Sequence, residues 1–324
     1  MRAYPLVRTS IAVTTLVLWA AGAFAQPYPS RVVRMVVAYP PGGSIDVVAR
    51  LVNQRLTTAF GQQFIIDNRA GAAGNIGTDY VAKAPNDGYT LLMGSAASIS
   101  SAPAVYAKLP YDPVRDLAPI IQVANQPNVL TAHPSVPART LKEFIAIAKA
   151  NPGKFNYGSS GIGASQHMTA ELFAMLTGVK IEHIPYKCGT PAMTDLISGQ
   201  IDFMFTPAPN AIAFVKSGKI RGIAVTSLKR SSALPELPTM DESGLKGFEL
   251  LGWIGLLGPA GTPREIVDRL NAEINKMLAG DIRPRLTELG LDAVGGTPEQ
   301  FAAFIRQDIA KYVKIVKVAG IPPQ

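Results

Sequence analysis

The chain has 324 residues, a formal net charge of +8 at pH 7 and a single cysteine. One cysteine excludes an internal disulfide, and the basic residues are scattered rather than interleaved with aromatic side chains, which argues against a nucleic-acid-binding surface. The positive charge therefore predicts a mild attraction for small anions.

The N-terminus has the pattern of a secretory signal peptide. Arg2 and Arg8 are followed by an apolar stretch over 11–24, and Ala23-Phe24-Ala25 has the small-x-small form of a signal-peptidase site. We expect residues 1–25 to be a signal peptide, with cleavage after Ala25 and export to the periplasm. About 300 residues would remain, enough for two domains at roughly 150 residues each.

A strand, a glycine loop and a helix follow one another early in the expected mature chain. Residues 32–39 are a β-branched run that is apolar on both faces, as in a strand of a covered parallel sheet. Gly42 and Gly43 let the backbone come close to a bound group, and Ser44 can cap the next helix, whose free N–H groups would face a ligand. This pattern predicts an anion site, here called the first loop (residues 41–46), and a helix whose buried face is Ile45, Val48, Val52 and Leu56.

Strands and helices then alternate, which predicts a parallel sheet with right-handed crossovers. Residues 64–68 have the pattern of a second strand and residues 89–94 that of a third, with a glycine loop and a short helix through Ala82 between them. The third strand would bring Ser95 and Ser98 to the sheet edge that carries the first loop.

A second domain is predicted to begin near Asn125-Gln126-Pro127, where an extended stretch over 118–132 is broken. A capping box at Thr140 opens the next helix. Residues 155–158 form a strand that runs into another glycine-serine loop, here called the second loop (residues 159–165). The helix after it has the predicted apolar face Met168, Leu172, Met175 and Leu176.

Three further strands complete the second domain. They are predicted over 181–186, over 201–205 ahead of Thr206 and Pro207, and over 220–226. The last of them would carry the chain back.

The final third of the chain is predicted to rejoin the first sheet. Residues 248–257 form a strand, and helices with capping boxes at Thr262 and Thr297 follow it. The predicted boundaries are therefore 26–125 and 228–324 for the first domain and 126–227 for the second.

The chain offers few groups for catalysis. Its three histidines lack metal-ligand spacing, so neither a metal nor another cofactor is expected. Gly158-Ser159-Ser160-Gly161-Ile162 resembles a nucleophile elbow but lacks the final glycine of that motif. His167 and Cys188 remain candidates for a reactive group, each with a structural alternative as a hydrogen-bonded or packed side chain.

Asp46 also has two interpretations that the sequence leaves open. It can contact a ligand or act as a general base from the first loop. Alternatively, it is an acid in the first helical turn that pairs with Arg50 one turn later.

Five motifs carry a resemblance to a known family. They are Pro41-Gly42-Gly43-Ser44-Ile45-Asp46 with Ala49-Arg50, Asn68-Arg69-Ala70-Gly71-Ala72-Ala73-Gly74-Asn75-Ile76-Gly77, Leu109-Pro110-Tyr111-Asp112, Tyr157-Gly158-Ser159-Ser160-Gly161 and Pro185-Tyr186-Lys187. In this order they resemble the Bug family, the periplasmic solute receptors of tripartite tricarboxylate transporters. The family often has glycine at the position of Cys188 and asparagine-proline at Ala102-Pro103, so the departures concern ligand specificity rather than the fold.

The resemblance implies an α/β fold of the type II, flytrap kind. It is a two-domain periplasmic binding protein in which each domain is a mainly parallel sheet flanked by helices. A small carboxylate would be held between the domains by loop amides, hydroxyls and waters. The ligand-binding residues expected on this basis are Tyr39, Gly42, Gly43, Ser44, Asp46, Ser95, Ser98, Ser159, Ser160, Gly161, Gly163, Ser165, Thr206 and Pro207.

The function implied is that of a solute-binding receptor rather than an enzyme. The protein would act as a monomer and deliver its ligand to the membrane components of a tripartite tricarboxylate transporter, with no nucleic acid as partner. Two alternatives stay open. One is a periplasmic enzyme that acts on a carboxylate through His167 or Cys188, and the other is a ligand sensor for a signalling partner.

Overall fold

The computed structural model describes residues 28–324. The expected signal peptide and its cleavage site after Ala25 lie outside the described residues. Within residues 28–324 the chain forms two β-sheets with helices packed on them, and no helix there combines the length and hydrophobicity needed to cross a membrane.

Strands and helices alternate through most of the described chain. The strands are β1 (Val33–Val37), β2 (Phe64–Asn68), β3 (Thr90–Ser95), β4 (Leu117–Gln126), β5 (Asn128–Ala132), β6 (Phe155–Ser159), β7 (Ile181–Pro185), β8 (Phe203–Pro207), β9 (Arg221–Val225), β10 (Gly252–Pro259) and β11 (Asp292–Ala293). The helices are α1 (Ser44–Phe60), α2 (Asn75–Ala82), α3 (Ala102–Val105), α4 (Leu141–Ala150), α5 (Ser165–Thr177), α6 (Gly189–Ser198), α7 (Ala208–Lys216), α8 (Arg264–Ala279), α9 (Ile282–Glu288) and α10 (Pro298–Ala319). A single 3-10 turn over Ala72–Gly74 precedes α2, and a π-helical turn over Ala97–Ser101 precedes α3.

The two sheets share one arrangement of strands. The first has the order β11-β4-β10-β3-β1-β2, and the second has the order β7-β6-β8-β5-β9. β1 pairs in parallel with β2 and β3, as β6 does with β7 and β8. β10 in the first sheet and β5 in the second each lie antiparallel between two strands that run the other way. Each is the first strand along the chain after it enters that domain. The predicted two-domain α/β fold is confirmed.

The first crossing between the sheets lies at Pro127, between β4 and β5. Proline has no N–H group and cannot continue a strand ladder. Beyond the crossing, the Asn128 N–H donates to Thr226 Oγ1 at 2.9 Å, and the Thr226 N–H donates to the Asn128 carbonyl oxygen at 2.9 Å. These bonds tie the start of β5 to the residue that follows β9.

Each domain has its own apolar core. The second core is built largely from aromatic rings, which include Phe144, Phe173 and Phe203. The first core lies between the first sheet and helices α1 and α8, and α1 contributes to it the whole predicted face: Ile45, Val48, Val52 and Leu56.

The segment after β9 packs on the second domain before the chain returns. Leu234 lies in a small cluster with Val129 and Val225, and Phe248 lies in the second core. Leu250, in contrast, packs in a cluster that contains residues of β10 and α10. The packing therefore favours a return crossing after residue 248, later than the predicted boundary between 227 and 228.

The predicted apolar face of α5 is only partly correct. Met168 is buried, but Met175 and Leu176 are 37% and 53% exposed. The buried stripe instead includes Phe173 and Thr177, one helical turn apart. Because Phe173 points into the second core, Met175, two positions further along, projects from the opposite side of the helix.

Two of the three predicted capping boxes form. The Thr140 and Thr297 hydroxyls each accept a hydrogen bond at 3.2 Å from the backbone N–H three residues later. The prediction at Thr262 is wrong, because its hydroxyl donates to the Pro259 carbonyl oxygen and α8 begins only after Pro263.

Gly77 allows α2 to pack closely on the first domain. A Cβ at this position would lie 2.8 Å from Ala38 Cα and 2.9 Å from the Arg69 carbonyl oxygen. Because both are backbone atoms that cannot rotate away, we expect Gly77→Ala to lower the free energy of unfolding in urea by about 1–3 kcal/mol. The control is Gly43→Ala, whose Cβ would meet only the Pro40 carbonyl oxygen at 3.7 Å; we expect it to stay within about 0.5 kcal/mol of wild type. Equal losses in both variants would contradict this packing.

Candidate functional site

A cavity of about 110 Å³ lies between the two domains. Strand-to-helix connections line it from both sides: those after β1, β2 and β3 in the first domain and those after β6, β7 and β8 in the second. Within each sheet these three strands run the same way, so their carboxyl ends meet at one edge. That edge is where open α/β sheets bind ligands.

Four helices begin at this cavity. α1 follows Gly43, α5 follows Ala164, α6 follows Cys188 and α7 follows Pro207, and all four of these preceding residues line the cavity. At none of the four ends does a side chain cap the first turn. The open N–H groups and the positive ends of the helix dipoles therefore favour a negatively charged group in the cavity.

Two glutamine side chains line the cavity, one from each domain. The predicted cap at Ser44 is wrong, because its hydroxyl donates instead to Gln126 Oε1 at 3.1 Å. In the second domain, the Ser160 hydroxyl donates to Gln166 Oε1 at 3.0 Å. Gln126 and Gln166 are 7% and 5% exposed, and within residues 28–324 neither Nε2 has a hydrogen-bond acceptor. With each carbonyl oxygen engaged, both amide NH₂ groups are left to donate to a ligand.

Lys187 is the one charged residue among the described residues that line the cavity. It directly precedes Cys188 and therefore lies at the N-terminus of α6. The described cavity wall contains no Asp or Glu. The formal charge of the wall thus has the same sign as the helix N-termini, and both attract anions.

Asp46 orders the first loop from behind. Its carboxylate accepts hydrogen bonds from the Gly42 N–H at 3.0 Å, from Asn68 Nδ2 at 2.9 Å and from Arg50 Nε at 2.8 Å. Burial alone would raise the pKa of Asp46, but the hydrogen bonds from Arg50, Gly42 and Asn68 outweigh it and lower that pKa. The helix-turn interpretation, in which Asp46 pairs with Arg50, is the one that the geometry favours.

Tyr39 joins three segments of the first domain at the cavity wall. Its hydroxyl donates to the Ala73 carbonyl oxygen at 2.9 Å and is hydrogen-bonded to Ser95 Oγ at 2.7 Å. Burial raises the pKa of Tyr39 to about 12, so the phenol is neutral at pH 7. The loops after β1, β2 and β3 are thereby held together by uncharged contacts.

A stack of rings supports the second loop. The His183 ring stacks on Tyr157 with centroids 4.8 Å apart and on His167 with centroids 4.2 Å apart. His167 Nδ1 accepts the Gly163 N–H at 3.1 Å, and His183 Nε2 is hydrogen-bonded to a loop serine. Burial lowers the pKa of His167 to about 3, with His183 adding to the shift, and burial lowers the pKa of His183 to about 4. Both imidazoles are therefore neutral at pH 7, and their nitrogens are used for structure.

The described residues provide no set of metal ligands. Residues 28–324 contain no group of three or more His, Cys, Asp and Glu side chains placed to hold a metal ion.

A family assignment follows from comparison with known proteins. Residues 48–321 match the model of the tripartite tricarboxylate transporter family receptor, which spans most of the chain. The chain belongs to this receptor family. Its members are solute-binding receptors, so the coarser part of the functional prediction is confirmed.

Three solved structures are similar to this receptor over nearly its whole length. The R. palustris protein Rpa4515, solved with adipate, is 38% identical, with a TM-score of 0.88 over 92% of this chain and 100% of its own. The periplasmic binding protein BugD is 37% identical, with a TM-score of 0.85 over 92% of this chain and 100% of its own. MatC from Rhodopseudomonas palustris, with bound malate, is 31% identical, with a TM-score of 0.83 over 89% of this chain and 100% of its own. The resemblance to the Bug family is confirmed.

Half of the predicted ligand-binding residues line the cavity of this receptor. They are Tyr39, Gly43, Ser44, Ser95, Ser160, Ser165 and Pro207. The others do not line it: Gly42, Asp46, Ser98, Ser159, Gly161, Gly163 and Thr206. Neighbouring residues in a strand or a tight turn point in opposite directions, so only some positions of each loop reach the ligand side.

The predicted residues that do not line the cavity make contacts within the receptor. Thr206 is hydrogen-bonded to Thr131 Oγ1 at 2.7 Å, and Ser98 accepts from Thr78 Oγ1 at 2.8 Å. Ser159 is fully buried and is the serine bonded to His183. These contacts fix the backbone whose neighbouring groups reach the cavity.

Several lining residues of the receptor were not among the ligand-binding residues predicted from sequence. Lys187 and Cys188 lie at a strand-to-helix junction after β7, the same kind of junction that led to Ser44 and Ser165, so the pattern was available to find them. Gln126 was recognised only as part of a crossing. Trp253 has no local signal, because it reaches the cavity from β10 through the return of the chain.

Replacing Asp46 with asparagine tests the support of the first loop. The lowered pKa of Asp46 in the folded state means that its contribution to stability is fully present above the unfolded pKa of about 3.9 and is lost as pH falls through the lower, folded value. We expect Asp46→Asn to reduce the free energy of unfolding at pH 7 by about 1–3 kcal/mol and the gap to wild type to narrow below about pH 4. Urea denaturation from pH 7 to pH 3 measures this.

The control for this measurement is Asp268→Asn on an exposed face of α8. Asp268 pairs with Arg264 at the surface, with 52% of its side chain exposed. We expect a change at pH 7 within about 0.5 kcal/mol, as for most surface pairs. If the difference in unfolding free energy between Asp46→Asn and wild type is as large at pH 3 as at pH 7, the role of the carboxylate is contradicted.

Proposed function

We propose that this protein is a periplasmic receptor that captures a small carboxylate in the cavity between its domains. The observation that carries the proposal is the composition of the wall: four uncapped helix N-termini, two unengaged amide NH₂ groups and Lys187, with no Asp or Glu among the lining residues described. Each of these groups donates to or attracts a carboxylate oxygen. The similar proteins solved with adipate and with malate support the same ligand class.

Capture is proposed to act through closure of the two domains. The domains would rotate about the two crossings, at Pro127 and after residue 248. A ligand that contacts both domains binds the closed form better and so shifts an existing open–closed equilibrium. The closed form would then deliver the ligand to the membrane components of a tripartite tricarboxylate transporter.

The cellular setting is part of the same proposal. We infer export to the periplasm with cleavage after Ala25, and a monomer as the functional unit. Membership of a transporter receptor family and similarity to a periplasmic binding protein support the compartment.

A thermal-shift screen tests the proposal and finds the ligand. The protein from residue 26 onward is heated with mono-, di- and tricarboxylates, aromatic acids and amino acids. A ligand at 100 times its Kd stabilises the folded state by about 2.7 kcal/mol. We expect at least one carboxylate to raise Tm by several degrees. Carboxylates that all leave Tm unchanged would refute the receptor function.

Gly43→Val tests the position of the site. Gly43 precedes α1 in extended geometry, with φ −73° and ψ 164°, so valine fits the backbone but fills space at the cavity wall. We expect calorimetry with the best carboxylate from the screen to show no binding, while the urea midpoint stays close to that of wild type. Near wild-type affinity would show that the first loop is not part of the binding site.

The bound acid is proposed to leave unchanged rather than react. His167, the strongest enzymatic candidate, is neutral at pH 7 and uses Nδ1 to hold the Gly163 N–H. We expect NMR spectra of the best ligand to show no product after prolonged incubation with the protein. Product that forms with wild type and is lost in His167→Ala would establish an enzyme instead.

A further inference from the structure

We propose that Asp308 is a positioning residue for ligand recognition, because it accepts the indole N–H of Trp253 and so fixes an aromatic ring at the cavity wall. Asp308 does not line the cavity itself, so it would act through Trp253. The helix α10 thereby becomes part of the binding apparatus. The inference rests on the proposed function and deepens it, because it assigns the wall that faces the carbon part of the ligand.

The Trp253 side chain contributes an apolar surface to the cavity. Trp253 lines the cavity, but its one polar side-chain atom is engaged away from it. Nε1 donates to Asp308 Oδ2 at 2.8 Å and also lies 3.3 Å from Ser100 Oγ. The indole has no other donor or acceptor. Its side chain therefore offers the ligand only ring carbon, which suits the hydrocarbon part of a carboxylate.

The hydrogen bond sets the orientation of the ring. Phe301 and Phe304 of α10 pack edge-on against Trp253, with ring centroids 5.2 Å and 6.1 Å away. Apolar contacts of this kind are non-directional enough to tolerate a rotated ring. A hydrogen bond to one carboxylate oxygen is directional, so it decides which edge of the indole faces the cavity.

A carboxylate is a costly acceptor at this position. Asp308 is 8% exposed, and Lys311, on the next turn of α10, donates instead to the Glu249 carbonyl oxygen at 2.8 Å. Burial raises the pKa of Asp308, and hydrogen bonds from Ser100 and Trp253 with the charge of Lys311 offset only part of that effect. A neutral amide would accept the same N–H at a lower desolvation cost. The carboxylate makes the stronger, charge-assisted bond, which favours a role in which the ring is held firmly.

The Trp253 ring lies where the two domains meet. It belongs to an apolar cluster that contains Met168 of the second domain and Leu250 of the return crossing. With its N–H bonded to α10, the ring would stay with the first domain when the second domain moves. It would then present the same surface to the ligand in the open and the closed forms.

Calorimetry with the best carboxylate from the screen tests the role in binding. Asp308→Leu removes the acceptor, and we expect it to weaken binding about tenfold. Asp308→Asn keeps an oxygen for the indole N–H, so its affinity should stay within about threefold of wild type. The matched control is Gln307→Leu, which replaces an exposed polar side chain of the same helix and should leave the affinity unchanged.

A double-mutant cycle tests the route through Trp253. Trp253→Phe keeps an aromatic ring at the wall but has no N–H to donate. In that background Asp308→Leu should weaken binding by less than about twofold, because the contact is already lost. Urea denaturation establishes that each variant is folded before it is titrated. A tenfold loss in both backgrounds would overturn the route through the indole.

Tryptophan fluorescence tests the same contact without a ligand or a binding variant. The chain from residue 26 keeps one of the two tryptophans, Trp253, because Trp19 lies in the expected signal peptide. As pH falls from 8 to 4, the Asp308 carboxylate takes up a proton earlier than a solvated carboxyl would, and the charge beside the indole is lost. We expect Trp253 emission to change with a midpoint above about pH 3.9, the pKa of a solvated Asp.

Few ionisable groups of the described chain face Asp308. On α10 they are Lys311 and Tyr312, whose phenol is neutral because burial raises its pKa. The π-helical turn, α3 and β4 contain no ionisable side chain, and α5 packs on α10 through apolar residues. Glu249 lies on the segment that leads into β10. We therefore expect Asp308→Asn to remove the emission transition and the control Glu249→Gln to keep it.

The outcomes separate the positioning role from the receptor function. Wild-type affinity in Asp308→Leu, a wild-type emission that does not change with pH, or a transition that persists in Asp308→Asn would each overturn the positioning role while the receptor function stands. If no carboxylate binds to wild type, the receptor function fails. The emission transition and its loss in Asp308→Asn would then still establish that Asp308 holds the Trp253 ring.

Discussion

The convergence of uncapped helix N-termini on one cavity is the constraint on which the rest of the structure depends. α1 arrives from the first domain, and α5, α6 and α7 arrive from the second. Buried N–H groups need acceptors, so an arrangement that brings these ends together requires oxygen atoms from water or a ligand. The fold achieves the convergence because parallel strands place their carboxyl ends, and the helices that follow them, at one edge of each sheet.

The networks behind the cavity keep the donors in place without adding charge to its wall. In the first domain, the Asp46 carboxylate is paired with Arg50 and accepts hydrogen bonds from the Gly42 N–H and the Asn68 amide. In the second domain, neutral His167 and His183 stack and bond to the loop. A charged support on either side would compete with the ligand or repel it. Uncharged or internally paired supports leave the field of the helix ends to act on the ligand alone.

Local sequence patterns predicted most of the fold and the general position of the site. Periodic apolar residues placed α1, and glycines between strand and helix located both loops, because these signals depend on neighbours in sequence. Side-chain direction within the loops could not be predicted. Ser44 has the right residue type for a cap, yet it bonds Gln126, which lies at the end of β4. Trp253 reaches the cavity only because β10 inserts between β3 and β4. Such choices depend on contacts between residues far apart in sequence.

In the proposed function, the donor set would also couple ligand binding to closure of the domains. If the domains closed on an empty, dry cavity, the amide groups of Gln126 and Gln166 and the open helix N–H groups would lose water without gaining acceptors, at about 1–3 kcal/mol for each buried group. The proposed carboxylate would supply those acceptors, so closure would become favourable only with ligand present. Moving a two-state equilibrium from 1:99 to 99:1 takes about 5.5 kcal/mol of differential binding, which a few such donors provide. Because most of the donors are neutral dipoles and Lys187 lies at an exposed position, the ligand faces no fully buried ion pair that would hold it. The same proposed chemistry that would close the receptor would therefore allow it to release the ligand when the domains open.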